Sequence, residues 1–123
     1  MMMLRYQPHS VAQQSGVRNG GQPWTPAADV VETEREYLLT FDLPGVSEQD
    51  VEIRFHEGAL ILEGERKTAS EGYVLRERQT GPFRRNFRLP HAIDADGIAA
   101  RFDRGVLEVR IPKVDRSRRI SIQ

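Results

Sequence analysis

The sequence predicts an all-β fold, an antiparallel sandwich of about eight short strands. Three observations carry this. Apolar residues recur with period two through most of the chain after Trp24. Gly and Pro clusters punctuate these runs at regular short intervals. No stretch holds a 3.6-residue period long enough for more than a single helical turn, "SEQD" after Val46 being typical. At 123 residues the chain is sized for one domain with short flanking arms.

The elements follow in order. Residues 1–23 are rich in Gln, Ser, Gly and Asn and lack periodicity, which predicts a flexible arm. "PAADVVET" and "REYLLTFDLP" read as strands, the second with Tyr37, Leu39 and Phe41 on one face and Leu38 and Thr40 on the other. After the "PGVSEQD" turn, Val51, Ile53 and Phe55 alternate with Glu52, Arg54 and His56. Glu57-Gly58 turns the chain into "ALILEGER", where Leu60 and Leu62 alternate with Ala59 and Ile61. A polar span of fifteen residues, "KTASEGYVLRERQTG", comes next, with a short strand-like piece from Tyr73 to Arg78 inside it. So long a loop in a small β domain points to a function. "PFRRNFRLP" places Phe83, Arg85, Phe87 and Leu89 on one side. "GIAARFD" and "GVLEVRIP" form a second hairpin around Asp103-Arg104-Gly105, with Ile98, Ala100 and Phe102 sharing a face. Pro44, Pro90 and Pro112 fall at strand ends, and Gly45, Gly58, Gly64, Gly81, Gly97 and Gly105 at turns or bends. The domain therefore runs from residue 24 to 113, and residues 114–123 form a tail.

The residue inventory excludes several function classes. There is no cysteine, hence no disulfide framework and no thiolate nucleophile. His9, His56 and His91 lie far apart without metal-ligand spacing. No serine sits in a G-x-S-x-G elbow, and no Gly-rich loop leads into Lys-Ser/Thr. No enzyme, metal or cofactor is therefore expected. "FRRNFR" mixes arginine with aromatics, yet alternation turns its phenylalanines inward, and the net charge of zero speaks against a nucleic-acid partner. No run approaches the roughly 20 apolar residues of a membrane span. The start carries no apolar segment of a secretory signal, so a cytoplasmic location is expected.

The zero net charge hides a split. Residues 24–65 hold eleven acids against two bases, and residues 66–123 fourteen bases against seven acids. Such a split serves either self-association of an acidic with a basic patch or pairing across strands within one fold. Arg85, on the same face as two phenylalanines, needs a carboxylate partner if buried. An interface ion pair is the preferred reading, with a rim position reaching water as the other. The tail "RRISIQ" ends on Ile120 and Ile122, two apolar residues on one side of an extended segment.

Several motifs in order resemble those of the small heat-shock proteins, the bacterial and plant form of the Hsp20/α-crystallin domain family. They are the "DLPG" turn, "LILEGER", "RERQTGPFRRNFRLP", "AARFDRGVLEVRIPK" and the terminal "ISI", covering Trp24 to Gln123. The resemblance implies an immunoglobulin-like sandwich and an ATP-independent chaperone that holds partly unfolded clients. It implies a homodimer made by strand exchange around Tyr73, Leu75, Arg76 and Arg78, with Arg85 at the interface, and higher oligomers. It further implies that Ile120 and Ile122 latch into a groove of a neighbouring dimer, formed here by Val51, Ile53, Phe55, Ile98, Ala100 and Phe102. The chain departs from the family pattern at Arg104, where Asn is usual before G-V-L. The alternative is a protein-interaction module like the CS domains of co-chaperones, which needs neither swapped strand nor tail motif.

Overall fold

A computed structural model describes residues 23–69 and 71–115. Seven strands account for the fold: β1 (Ala28–Glu32), β2 (Glu36–Asp42), β3 (Val51–His56), β4 (Ala59–Arg66), β5 (Gly81–Arg88), β6 (Ala99–Asp103) and β7 (Val106–Pro112). They build two antiparallel sheets, one ordered β1-β2-β7-β6 and the other β3-β4-β5. Two single turns of 3-10 helix, Glu48–Asp50 and Ala95–Gly97, are the only helical pieces among the described residues. No helix there is long and apolar enough to cross a membrane.

The period-two pattern places the core where alternation predicts. Tyr37, Leu39 and Phe41 of β2 and Leu107, Val109 and Ile111 of β7 face Val51 and Ile53 of β3, Leu60 and Leu62 of β4 and Phe83 of β5, all buried. Each such side chain contributes roughly 1.5–3 kcal/mol by leaving water. The hairpins turn at Glu57-Gly58 and Arg104-Gly105, with positive φ at all four residues. That is the backbone a two-residue turn needs to match the strand twist.

Three expectations change. Tyr73 to Arg78 joins no ladder, so the strands number seven among the described residues. An extended segment becomes a strand only when another supplies its hydrogen-bond partners, and nothing among the described residues does so. Gly64 lies inside β4 rather than at a bend. A Cβ there would come within 2.3 Å of the Asp50 carbonyl oxygen and 2.5 Å of Phe83 Cζ, so the strand needs glycine for close approach. Finally, β4 is the central strand of its sheet and is buried on both sides: Ala59, Ile61 and Glu63 of the outer face are all below a tenth exposed. Glu63 sits 3.6 Å from both Arg54 and Arg84 on the flanking strands, whose long side chains reach over this face.

Candidate interaction surfaces

A two-layer sandwich has two flanks where edge strands of opposite sheets face each other. On one flank β3 and β6 leave a narrow cleft of about 40 Å³, lined by Val51, Ile53, Ala100, Phe102 and Leu107, with Glu48 and Arg101 at its mouth. Four of the six expected groove residues line it. Phe55 and Ile98 pack against the core instead. Ile120 and Ile122 lie outside the described residues.

On the other flank β1 faces β5. Strand β1 pairs only with β2, so its outer backbone edge is open among the described residues, and Val30 and Val31 are 45% and 51% exposed. Arg85 reaches into this flank from β5. Its Nη1 donates to the Pro26 carbonyl at 3.1 Å, and its guanidinium lies 4.7 Å from the centre of the Phe87 ring. It makes no ion pair with a carboxylate among the described residues, and it is half-buried. The inward turn of "FRRNFR" is seen directly: Phe83 is buried, while Arg84 pairs with Glu63 and Arg88 donates to the Glu57 carbonyl.

The loop between β4 and β5 carries the most exposed apolar side chains of the described residues, with Val74 fully exposed and Leu75 72% exposed. Tyr73 folds back, its hydroxyl donating to the Ala69 carbonyl at 2.7 Å, with the Arg76 guanidinium 4.6 Å from its ring centre. The neck of the loop is fixed by a residue that alternation alone does not single out. Arg66 is only 7% exposed and donates to the carbonyls of Pro44 at 3.0 Å and Gln79 at 2.5 Å. Burial, and then the charge of Arg78, holds its guanidinium below the usual arginine range. The "GER" end of β4 carries this arginine, but only the third dimension shows that it is inside.

A second unforeseen cluster roots the tail. Lys113 Nζ reaches Glu32 Oε2 at 2.7 Å and the Thr33 carbonyl at 2.6 Å, and His91 Nδ1 lies 2.9 Å from the Tyr37 hydroxyl and 3.3 Å from Glu32. The Lys113 hydrogen bond holds the Glu32 carboxyl below its ordinary range against a smaller opposing effect of burial, with the charges of Lys113 and His91 adding to it. No group of three metal-ligating side chains occurs among the described residues.

Comparison with known proteins agrees with this architecture. The profile of the Hsp20/alpha crystallin family matches residues 29–123. Small heat shock protein C2 of Rickettsia felis is 35% identical over 102 residues, covering 80% of this chain and 66% of that protein. Heat shock protein 16 of Schizosaccharomyces pombe is 38% identical over 99 residues, covering 76% and 69%. The chain spans about two thirds or less of the length of several of the curated relatives it matches, 60% of small heat shock protein C4 of Rickettsia felis for example. Among solved structures, a small heat-shock protein from Xylella fastidiosa superposes with a TM-score of 0.68 at 40% identity, covering 81% of this chain and 97% of that one. Two antiparallel sheets in this order, the open flanks and the family match lead to one conclusion: the chain belongs to the Hsp20/alpha crystallin family of small heat shock proteins.

Proposed function

We propose that this chain is a non-enzymatic, ATP-independent chaperone that holds partly unfolded proteins and prevents their aggregation. One observation carries the reading: among the described residues a well-packed sandwich leaves an apolar cleft and an unpaired strand edge on its two flanks. In a protein that acts alone such surfaces are an aggregation hazard. In a holdase they are the working surface, since unfolding clients present extended apolar segments. The test is light scattering of a heat-labile client with this chain and no ATP. Suppressed scattering is expected; undiminished scattering at several-fold molar excess overturns the proposal.

Self-association occupies the same surfaces at rest. The exposed segment from Tyr73 to Arg78 lies across the β1 edge of a second copy, completing its ladder. Alternation puts Tyr73, Leu75 and Glu77 on one side of that segment, so docking with this side toward the Val30 and Arg85 flank brings a carboxylate to Arg85. Ile120 and Ile122 of a further copy fill the β3–β6 cleft, where burying both is worth a few kcal/mol by area, less the cost of ordering the tail. Native mass by light scattering tests both contacts. An assembly that shrinks when Ile120 and Ile122 become alanine supports the latch, and a chain monomeric throughout overturns both.

A further inference from the structure

The mouth of the β3–β6 cleft carries one charge that nothing among the described residues neutralises. Glu48, in the 3-10 turn that leads into β3, lines the cleft beside Val51 and Ile53. Its charged neighbours are already engaged. Asp50 pairs with Lys67 at 3.3 Å, and Arg101 lies 3.8 Å from Glu108 across the β6–β7 ladder. Glu48 makes no ion pair or side-chain hydrogen bond among the described residues, and it is exposed.

We propose that Glu48 is the receptor for Arg118 in the tail of a second copy, and that this pair fixes the direction in which the tail enters the cleft. The inference rests on the docking of Ile120 and Ile122 given above. The tail reads Arg118-Arg119-Ile120-Ser121-Ile122-Gln123. In an extended segment residues 118, 120 and 122 share a side, with Arg118 about 7 Å ahead of Ile120 at roughly 3.3 Å per residue. Arg119 and Ser121 face away. When the two isoleucines occupy the apolar cleft, a cation therefore stands at one end of it and the uncharged Gln123 side chain near the other. Only one of the two possible directions brings the cation to Glu48. The reverse direction takes Arg118 away from Glu48. An exposed pair adds little affinity, but it separates two otherwise similar poses and makes docking salt-sensitive. The source is a second copy because the cleft belongs to the acidic half of the sequence at β3 and the tail to the basic half, the arrangement that favours contact between copies.

The experiment uses the full-length chain with Ile120→Ala and Ile122→Ala as acceptor and a fluorescent peptide of residues 114–123 as probe. Fluorescence polarisation is read at low and high salt. The Arg118→Glu peptide is expected to bind about fivefold more weakly than the native peptide at low salt, with the difference closing at high salt. An acceptor also carrying Glu48→Lys should reverse the preference and favour the Arg118→Glu peptide. Equal binding of the Arg118→Glu and Arg119→Glu peptides, or no reversal with Glu48→Lys, overturns the pairing while leaving the isoleucine latch standing. If a peptide with both isoleucines replaced binds as well as the native one, the latch itself fails, and the pairing with it. If the native mass of the full chain is unchanged by the two alanine substitutions, the tail is not supplied by a second copy and that part is overturned.

Discussion

The Arg66 guanidinium lies 4.5 Å from the centre of the Trp24 ring and joins three segments that are distant in sequence. Trp24 enters the fold as a parallel bridge to Phe83, with its indole Nε1 donating to the Gly81 carbonyl at 3.2 Å. Arg66 then ties the Pro44 turn and Gln79 to the same point. Both ends of the 67–80 loop are thus held at one neck, whatever its tip contacts. Arg66→Ala leaves two carbonyls without their donor and removes the cation from the ring, a loss of about 2 kcal/mol. Trp24 is the sole tryptophan, so its emission reports the neck directly. Thermal unfolding should show a lower midpoint with red-shifted native emission. An unchanged spectrum would show that the stacking is absent in solution.

Gly64→Ala tests the close approach inside β4. A methyl group there meets a backbone carbonyl and the Phe83 ring, and neither can withdraw without moving β3 or β5. A cost of about 3 kcal/mol is expected in urea unfolding. A loss below about half of that would mean the two sheets shift apart more readily than the packing implies.

The hairpin tips are strained by their residue types. Arg104 and Glu57 hold φ of 53° and 50°, a region that favours Gly and Asn. Arg104→Asn and Glu57→Asn should each raise stability by about 1 kcal/mol. The exposed contacts they give up, to Asp103 and His56, are each 3.6–3.8 Å long and contribute little. A fall in the unfolding midpoint of either variant would contradict this.

The root of the tail should respond to acid. Glu32 has its carboxyl lowered below 4.5 in the folded chain. A lowered carboxylate stabilises the folded state above its unfolded value, and that contribution is lost as pH falls through the folded value. Hydrogen exchange at the Lys113 and Val114 amides, which donate to the Arg35 and Ala92 carbonyls, should therefore be slow near neutrality after correction for intrinsic rates. Protection should fall as pH drops below 4.5. Glu32→Gln should remove most of that pH dependence, and a variant that keeps it would assign the effect to other carboxylates.

Much of this molecule is legible in the chain as letters. Period-two runs fix which side of β2, β3, β5 and β7 is inside, because a sandwich has one dry face per sheet and a one-residue slip would expose it. Glu57-Gly58 and Arg104-Gly105 mark their own turns, since so few backbones reverse a strand in two residues. Arg66, Glu63 and Gly64 were not legible. Each sits at a position whose neighbours come from other strands: Arg66 meets Pro44 and Gln79, Glu63 meets Arg54 and Arg84, and Gly64 meets Asp50 and Phe83.

The sequence by itself determined the fold class, the strand faces and the family, because these depend on local alternation, turn chemistry and ordered motifs. Only the tertiary structure decided that β4 is central and buried on both sides, that Arg66 turns inward at the neck of the β4–β5 loop, and that Glu48 stands at the mouth of the β3–β6 cleft with no ion pair among the described residues. Those facts depend on which strands become neighbours. Non-local pairing sets that, and it leaves no trace in the spacing of residues along a single strand.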